Sequence, residues 1–262
     1  MKQYLIYSVT IILLFTSCSG YEKLLKSTDY NLKYKKALEY YNQKEYVKSG
    51  NLFEQIQSFY RGTEKADTVD FLYAKSLYGQ GDYILSGEYF KNFGESYQYS
   101  DFAEEANFLC AYCFYLTSPR PSLDQENTYN AIQAFQLFLI KYPNSSRKKD
   151  CLDLIAELKD KLVEKSFISA KLYFDLGEYK SSIIALNNSL NEYPDTKYRE
   201  EMMFLVLKSK YLLATYSIPE KQKERYQNSV DEYYSFIAEF PKSIYIKEAE
   251  KMYDTSTKEL KN

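Results

Sequence analysis

The 262-residue sequence contains no histidine and no tryptophan. The absence of histidine removes the commonest general base and the commonest zinc ligand, and it excludes Ser-His-Asp and Cys-His catalysis within this chain. No glycine-rich phosphate loop and no metal-ligand spacing is found in their place. We therefore expect a protein that is not an enzyme and that uses no cofactor or metal.

Glycine, proline and net charge are also low. The 34 basic and 36 acidic residues give a formal net charge of −2, which offers nucleic-acid binding little electrostatic support. Only 8 glycines and 6 prolines argue against a β-rich or disordered chain. Tyrosine, by contrast, is abundant, and its 30 rings suit helix–helix seams as well as binding grooves.

The stretch from Tyr173 to Thr196 shows the unit from which the chain is built. Gly177 interrupts one helical pattern, and Tyr179 opens a second whose apolar residues recur at steps of three and four. Pro194 closes the unit because proline cannot continue a helix. One such hairpin cannot bury its own apolar stripe, so the pattern predicts further copies.

Copies of the pattern begin at five turn residues, namely Tyr46, Tyr83, Thr128, Tyr179 and Tyr226. Three positions later stands a small residue, namely Ser49, Ser86, Ala131, Ser182 and Ser229. Seven positions later stands a large one, namely Phe53, Phe90, Phe135, Leu186 and Tyr233. Antiparallel helices approach closely only where a side chain is small, and the larger residue fills the groove beside the crossing. The pattern resembles the tetratricopeptide repeat.

This resemblance predicts an all-α fold, a tetratricopeptide-repeat right-handed superhelix of about five helix-turn-helix repeats with a C-terminal capping helix. Repeats 1 and 2 are expected in residues 30–97, repeat 3 in residues 98–145, and repeats 4 and 5 with the cap in residues 146–262. The helical pattern from Asn144 to Leu176 is long for one helix, so we expect a break near Lys165 to Ser169.

The chain begins with a segment typical of an exported lipoprotein. Residues 1–17 combine Lys2 with a mostly apolar run too short to span a bilayer comfortably, which is a signal-peptide pattern. Small residues then precede Cys18, as in a bacterial lipobox, with Phe15 at the usual leucine position. That resemblance implies cleavage before Cys18, lipidation of Cys18 by acyl chains such as palmitate, and a lipidated tether over residues 18–29. An ordinary secretory signal with an incidental cysteine is the alternative.

A tetratricopeptide array offers a concave groove lined by the first helix of each repeat. By resemblance, the peptide-groove candidates of repeats 1 to 3 are Tyr34, Tyr41, Phe71, Lys75, Tyr78, Tyr112 and Tyr115. Tyrosine suits such a groove because it supplies interface energy at low entropic cost. Some of these residues can instead pack between neighbouring repeats, and the sequence leaves both roles open.

Cys110 and Cys113 form a C-x-x-C pair inside the helical pattern of repeat 3. Reactive pairs use an exposed helix N-terminus, which lowers the pKa of a thiol, and this pair lacks one. We therefore expect both thiols, like Cys151, to pack in the core. A disulfide or a redox pair remains the alternative for Cys110 and Cys113.

The order of these features resembles the BamD family of outer-membrane protein assembly lipoproteins over essentially the whole mature chain. The resemblance is carried by the lipobox, the five repeats, the sequence KYPNS at 141–145 before a long helix, and the stretch of repeat 4 from the turn at Gly177–Tyr179 through Tyr193–Thr196. It implies a non-catalytic scaffold of the β-barrel assembly machinery, anchored by lipid in the outer membrane and facing the periplasm.

The resemblance also implies the partners. The C-terminal repeats are expected to bind the periplasmic domains of the barrel-forming subunit. The N-terminal repeats are expected to receive extended segments of unfolded outer-membrane protein clients for insertion into the outer membrane. Two other classes stay open, a SusD-like glycan-binding lipoprotein and a periplasmic repeat adaptor in cell-envelope or division complexes. The first is usually larger and rich in tryptophan, which this chain lacks.

Overall fold

Every regular element among residues 20–261, the part of the chain that the computed structural model describes, is an α-helix. The helices after an N-terminal helical segment are α1 (Tyr30–Asn42), α2 (Tyr46–Tyr60), α3 (Ala66–Gln80), α4 (Tyr83–Ser96), α5 (Ala103–Thr117), α6 (Glu126–Lys141), α7 (Lys148–Asp175), α8 (Tyr179–Glu192), α9 (Arg199–Thr215), α10 (Pro219–Glu239) and α11 (Ile246–Lys261). Consecutive helices pack as hairpins from α1 to α6 and from α8 to α11. The predicted all-α tetratricopeptide-type fold is confirmed.

The helices form two units. The first comprises the described residues up to Ser118 together with Glu126–Ile155, and the second comprises Pro119–Gln125 and the described residues from Ala156 onwards. The long helix α7 thus begins in the first unit and ends in the second. Within residues 20–261 no helix is both long enough and apolar enough to cross a membrane.

The two residue steps predicted from the sequence account for the packing of the hairpins. All five small residues and all five large ones are buried, with exposed fractions of at most 9%. Four of the small residues meet a hydroxyl or thiol 27 positions later on the next helix, in the pairs Ser49–Ser76, Ser86–Cys113, Ser182–Ser209 and Ser229–Ser256. The repeated pairing shows why a small side chain is needed at this step, because two helices meet there almost backbone to backbone.

The buried hydroxyls of these pairs also find backbone acceptors. Ser49 Oγ donates to the carbonyl of Ala37 at 3.1 Å, and Ser86 Oγ donates to that of Ala74 at 2.9 Å. No buried side-chain nitrogen or oxygen among the described residues lacks a hydrogen-bond partner. Serine is therefore tolerated in this core, because a buried hydroxyl is costly only when it is unpaired.

The turns inside three hairpins share one backbone geometry. Gly81 and Gly177 have φ of 82° and 78°, and Lys44 occupies the same position with φ of 60°. The amide of each of these residues donates three residues back, and the next amide donates five residues back. This is the left-handed helix end that glycine favours, so the predicted turn at Gly177 is found and Lys44 is an unusual occupant of its own turn.

The predicted break near Lys165 to Ser169 is wrong, because α7 runs without interruption from Lys148 to Asp175. No glycine or proline occurs in that stretch, so nothing in the backbone chemistry stops the helix. Leu162 and Ala170 are buried on either side of the expected break and Phe167 is buried within it, so the helix packs continuously through this stretch.

Residues 20–26, which were predicted to be part of a lipidated tether over residues 18–29, form a helical segment. Tyr21, Leu24 and Leu25 pack against the core of the first unit. The ring of Tyr21 lies edge-on to that of Tyr40 with centroids 5.7 Å apart. The buried Lys33 also donates from Nζ to the carbonyl of Leu25 at 3.0 Å. Cys18 and the predicted signal peptide lie outside the described residues.

Candidate functional site

Three aromatic rings form a row along one face of α5. Phe108 stacks on Tyr112 with centroids 5.7 Å apart, and Tyr112 stacks on Tyr115 with centroids 5.4 Å apart. The spacing of four and then three residues places these side chains on one helix face. Stacked aromatic pairs of this kind are energetically favourable beyond the area that they bury.

The row opens onto a cavity of about 530 Å³ in the first unit, here called the aromatic cavity. It is lined by Tyr78, Phe108, Leu109, Tyr112, Arg147, Asp150, Asp153 and Leu154. The walls come from α3, α5 and the beginning of α7. The cavity therefore combines an apolar aromatic wall with one cation and two carboxylates, which suits a partly apolar peptide segment.

Arg147 lies directly before the first residue of α7, and its side chain is held in place. Its guanidinium carbon lies 4.3 Å from the centroid of the Phe108 ring, which is a cation–π contact. Its amide donates to Ser145 Oγ, and that hydroxyl donates to a carboxylate oxygen of Glu104 at 2.6 Å. The turn that follows Pro143 thus holds the Arg147 guanidinium against the Phe108 ring.

The hydroxyls of Tyr78 and Tyr41 stay protonated at neutral pH. The pKa of Tyr78 is raised mainly by burial and then by Tyr112 beside it. Burial, followed by the nearby Tyr46 and Glu105, raises the pKa of Tyr41 to about 12. These residues can therefore serve as neutral hydrogen-bonding groups and not as acid–base catalysts.

The structure brings only some of the predicted groove residues together. Tyr78 and Tyr112 line the aromatic cavity and Tyr115 extends its ring row. Lys75 lies nearby in an ion pair with Glu105 at 2.6 Å. Tyr41 packs edge-on against Tyr46, and this contact spans the turn between α1 and α2.

The last two predicted groove residues, Phe71 and Tyr34, pack against neighbouring aromatic rings. Phe71 was predicted as a groove residue but belongs to the core. It is 3% exposed, and its ring stacks on that of Phe102 with centroids 4.5 Å apart. A peptide has no access to such a ring. Tyr34 contacts Tyr60 at 5.3 Å, and Lys65 Nζ lies 4.8 Å from its centroid.

Sequence reasoning missed the part of the cavity that comes from α7. Asp150, Asp153 and Leu154 follow the spacing of one helix face, and this signal was available in the sequence. The predicted groove ended with repeat 3, whereas the next helix closes the cavity. Phe108 carried no such signal, since it lies in an almost wholly apolar stretch of α5.

The cysteines of the described chain are buried and free. Burial raises the pKa of Cys110 to about 12 and that of Cys113 to about 11. Both thiols are therefore protonated and unreactive at neutral pH, which favours the core interpretation over a redox pair.

The second unit carries an exposed row of apolar residues, here called the apolar stripe. It comprises Ile168, Leu172 and Leu176, which are 39%, 55% and 66% exposed. Their four-residue spacing places them along one face of α7 and its end, and the amide of Leu176 continues the helix by donating to Leu172. Aligned apolar residues of this kind are typical of a protein contact, unlike single exposed ones.

Comparison with known proteins identifies the class. A family model described as an outer membrane lipoprotein, YfiO, matches residues 27–224. No curated protein matches the chain. Among solved structures, the TPR2AB-domain:pHSP90-complex of yeast Sti1 matches with a TM-score of 0.40 and 11% identity, over 87% of this chain and 98% of that chain. That likeness is too weak to carry an argument.

The match covers most of the chain and includes every residue of the aromatic cavity and the apolar stripe. This protein belongs to the YfiO family of outer membrane lipoproteins. The predicted BamD-type family and the outer-membrane assignment are thereby confirmed.

Proposed function

We propose that this protein is a non-catalytic scaffold of the β-barrel assembly machinery, anchored through a lipid on Cys18 and facing the periplasm. Family membership supports this function over the glycan-binding and envelope-adaptor alternatives. The observation that carries it is the aromatic cavity, whose stacked rings and fixed charges resemble a peptide-binding surface and not an active site.

In this proposal the aromatic cavity receives an extended segment of an unfolded outer-membrane protein. Side chains of an extended segment alternate in direction, so an apolar or aromatic one can lie against the half-buried Tyr78 and Tyr112 while its neighbour faces solvent. Asp150 and Asp153 can accept backbone or side-chain donors, and Arg147 can donate to a carbonyl or carboxylate. This mixture suits clients of varied sequence.

The apolar stripe is the contact we propose for the periplasmic domains of the barrel-forming subunit. It belongs to the second unit, which the resemblance assigns to that partner. Its residues face solvent, and burial against a partner is worth roughly 25 cal/mol for each Å² of apolar surface.

The aromatic cavity is tested by Tyr112→Ala. Because Tyr112 touches both Phe108 and Tyr115, its removal breaks the ring row, and we expect binding of a urea-denatured outer-membrane barrel protein, diluted into the assay, to weaken by about tenfold or more. The matched control is Tyr129→Ala, which removes a 57% exposed ring elsewhere in the first unit. Equal affinity of the two variants would exclude the cavity as the client site.

The apolar stripe is tested by Leu172→Glu, with Ile184→Glu as the control on α8. We expect the first variant to lose co-purification with the periplasmic domains of the barrel-forming subunit and the second to keep it, because a charge on the stripe is desolvated in the complex. Truncating the C-terminal helices is a poorer test, since Met202, Leu205 and Val206 of α9 belong to a core shared with α7 and α8. Retention of the partner by both variants would contradict the proposal.

A further inference from the structure

The N-terminal helical segment is fastened to the first unit directly after the predicted lipid anchor. Tyr21 donates from its hydroxyl to the carbonyl of Lys48 at 3.3 Å and accepts from Asn51 at 3.3 Å. Lys33 holds the other end of the segment through the carbonyl of Leu25. The segment is thus part of the folded unit from Gly20 onwards.

Covalent geometry then limits how far the unit can lie from a membrane. Gly20 follows Cys18 by two residues, and two residues of fully extended chain span at most about 7 Å. This distance is comparable to the Debye length of about 8 Å at physiological ionic strength. If Cys18 is acylated as proposed above, charges on this edge of the unit therefore act on the lipid headgroups with little screening.

The charges of the N-terminal segment and of the following residues up to Lys48 are predominantly positive. Residues 20–48 contain seven lysines and four acids. Glu39 and Glu45 are neutralised by ion pairs with Lys36 and Lys48. The exposed lysines that have no ion-pair partner among the described residues are Lys23, Lys26, Lys35 and Lys44. The unpaired charge at this end therefore favours an anionic partner.

A cavity of about 410 Å³ opens at the same edge. Its walls include Gly20, Lys23, Leu32, Lys36 and Tyr40. Two lysine side chains, an exposed leucine and a tyrosine ring form a combination typical of proteins that lie at a membrane interface, where the rings sit at headgroup level and lysines meet the phosphates.

We propose that the first unit docks its N-terminal edge on the membrane surface, with the headgroup of an anionic phospholipid in the cavity beside Lys23. This inference rests on the proposed acylation of Cys18. It makes the lipid anchor a short connection that holds this edge of the first unit against the headgroups.

The experiment uses the lipidated full chain in vesicles, with Leu32→Cys labelled by a fluorescent dye. Leu32 is 42% exposed and lines the cavity, and the other described thiols are buried, so the introduced thiol is labelled selectively. Vesicles of phosphatidylethanolamine with phosphatidylglycerol are compared with vesicles of phosphatidylcholine alone. We expect quenching of the dye by iodide to be several-fold weaker in the anionic vesicles, and the difference to disappear in high salt.

Charge variants test whether the lysines cause this protection. Lys23→Glu combined with Lys26→Glu should abolish it, whereas Lys221→Glu combined with Lys223→Glu, an equal charge change at exposed sites of α10, should preserve it. A dye at Ile140→Cys reports quenching at a site away from the edge. Ile140 lies on α6, and its side chain is 77% exposed.

Flotation of the vesicles separates the two hypotheses. Protein that does not float with the vesicles would overturn the anchoring itself, and the headgroup proposal with it. Protein that floats but shows equal quenching at both dye positions in all vesicles would overturn the headgroup contact alone and leave the proposed scaffold function standing.

Discussion

Replacing Cys18 with serine is expected to abolish incorporation of radiolabelled palmitate and to eliminate the mature, membrane-bound protein. The chain belongs to a family of outer membrane lipoproteins, which supports a lipid as its membrane anchor. One acyl chain gives only marginal membrane binding, and about two or more are needed for a stable anchor. The lipobox resemblance implies three acyl chains at Cys18, and serine lacks the thiol to which the first of them would be attached.

The position of the protein in the cell is measured by fractionation after a salt wash, which removes proteins held by charge alone. Serine at position 18 also blocks the implied cleavage, so a further variant replaces residues 1–17 with a cleavable secretory signal. We expect that variant to be found in the soluble periplasmic fraction. Ser19→Ala is the matched control, because it changes the adjacent residue and leaves the cysteine. Normal processing of the serine variant without label would indicate an ordinary secretory signal.

Phe135→Ala is expected to have the largest effect on stability, a loss of about 3–5 kcal/mol for the first unit. Phe135 is completely buried at the large-residue step of α6, and its ring centroid lies 6.0 Å from that of Phe108. Truncation removes the transfer free energy of the ring and leaves a cavity that the packed helices fill only in part. Because Phe108 lines the aromatic cavity, client binding should weaken as well.

The measurement is urea unfolding followed by far-UV circular dichroism, with the transition of the first unit resolved from that of the second where they separate. Leu137→Ala on the same helix is the control, because this side chain is 60% exposed and its loss should cost less than about 1 kcal/mol. Equal urea midpoints for the two variants would show that the large buried residue seven positions after the turn does not stabilise the helical hairpin.

Much of this fold follows from local sequence alone. The 3.6-residue period marks the helices, and the small and large residues three and seven positions after each turn mark where helices cross. Ser49 and Ser182 were predicted to lie at such crossings and are completely buried there. These predictions succeed because the requirement for a small side chain at a close crossing repeats in every hairpin, so each copy supports the others.

Other features depended on which helices meet, and local sequence carries little information about that. Phe71 and Tyr78 both lie on α3 as groove candidates, yet Phe71 stacks against Phe102 in the core and Tyr78 lines the aromatic cavity. The sequence pattern predicted a break near Lys165 to Ser169 only because the helical stretch is long. Residues on both sides of that stretch are buried, and α7 continues through it.

The sequence by itself determined the all-α repeat architecture, the hairpin turns, the absence of histidine chemistry and the candidate lipid anchor at Cys18. Tertiary structure alone decided that Phe108, Tyr112 and Arg147 share one cavity, and that residues 20–26 belong to the folded unit. The physical reason is that periodicity and helix caps act within a few residues, whereas burial and the direction of side chains depend on neighbours on other helices, such as Ser76 for Ser49, 27 residues away.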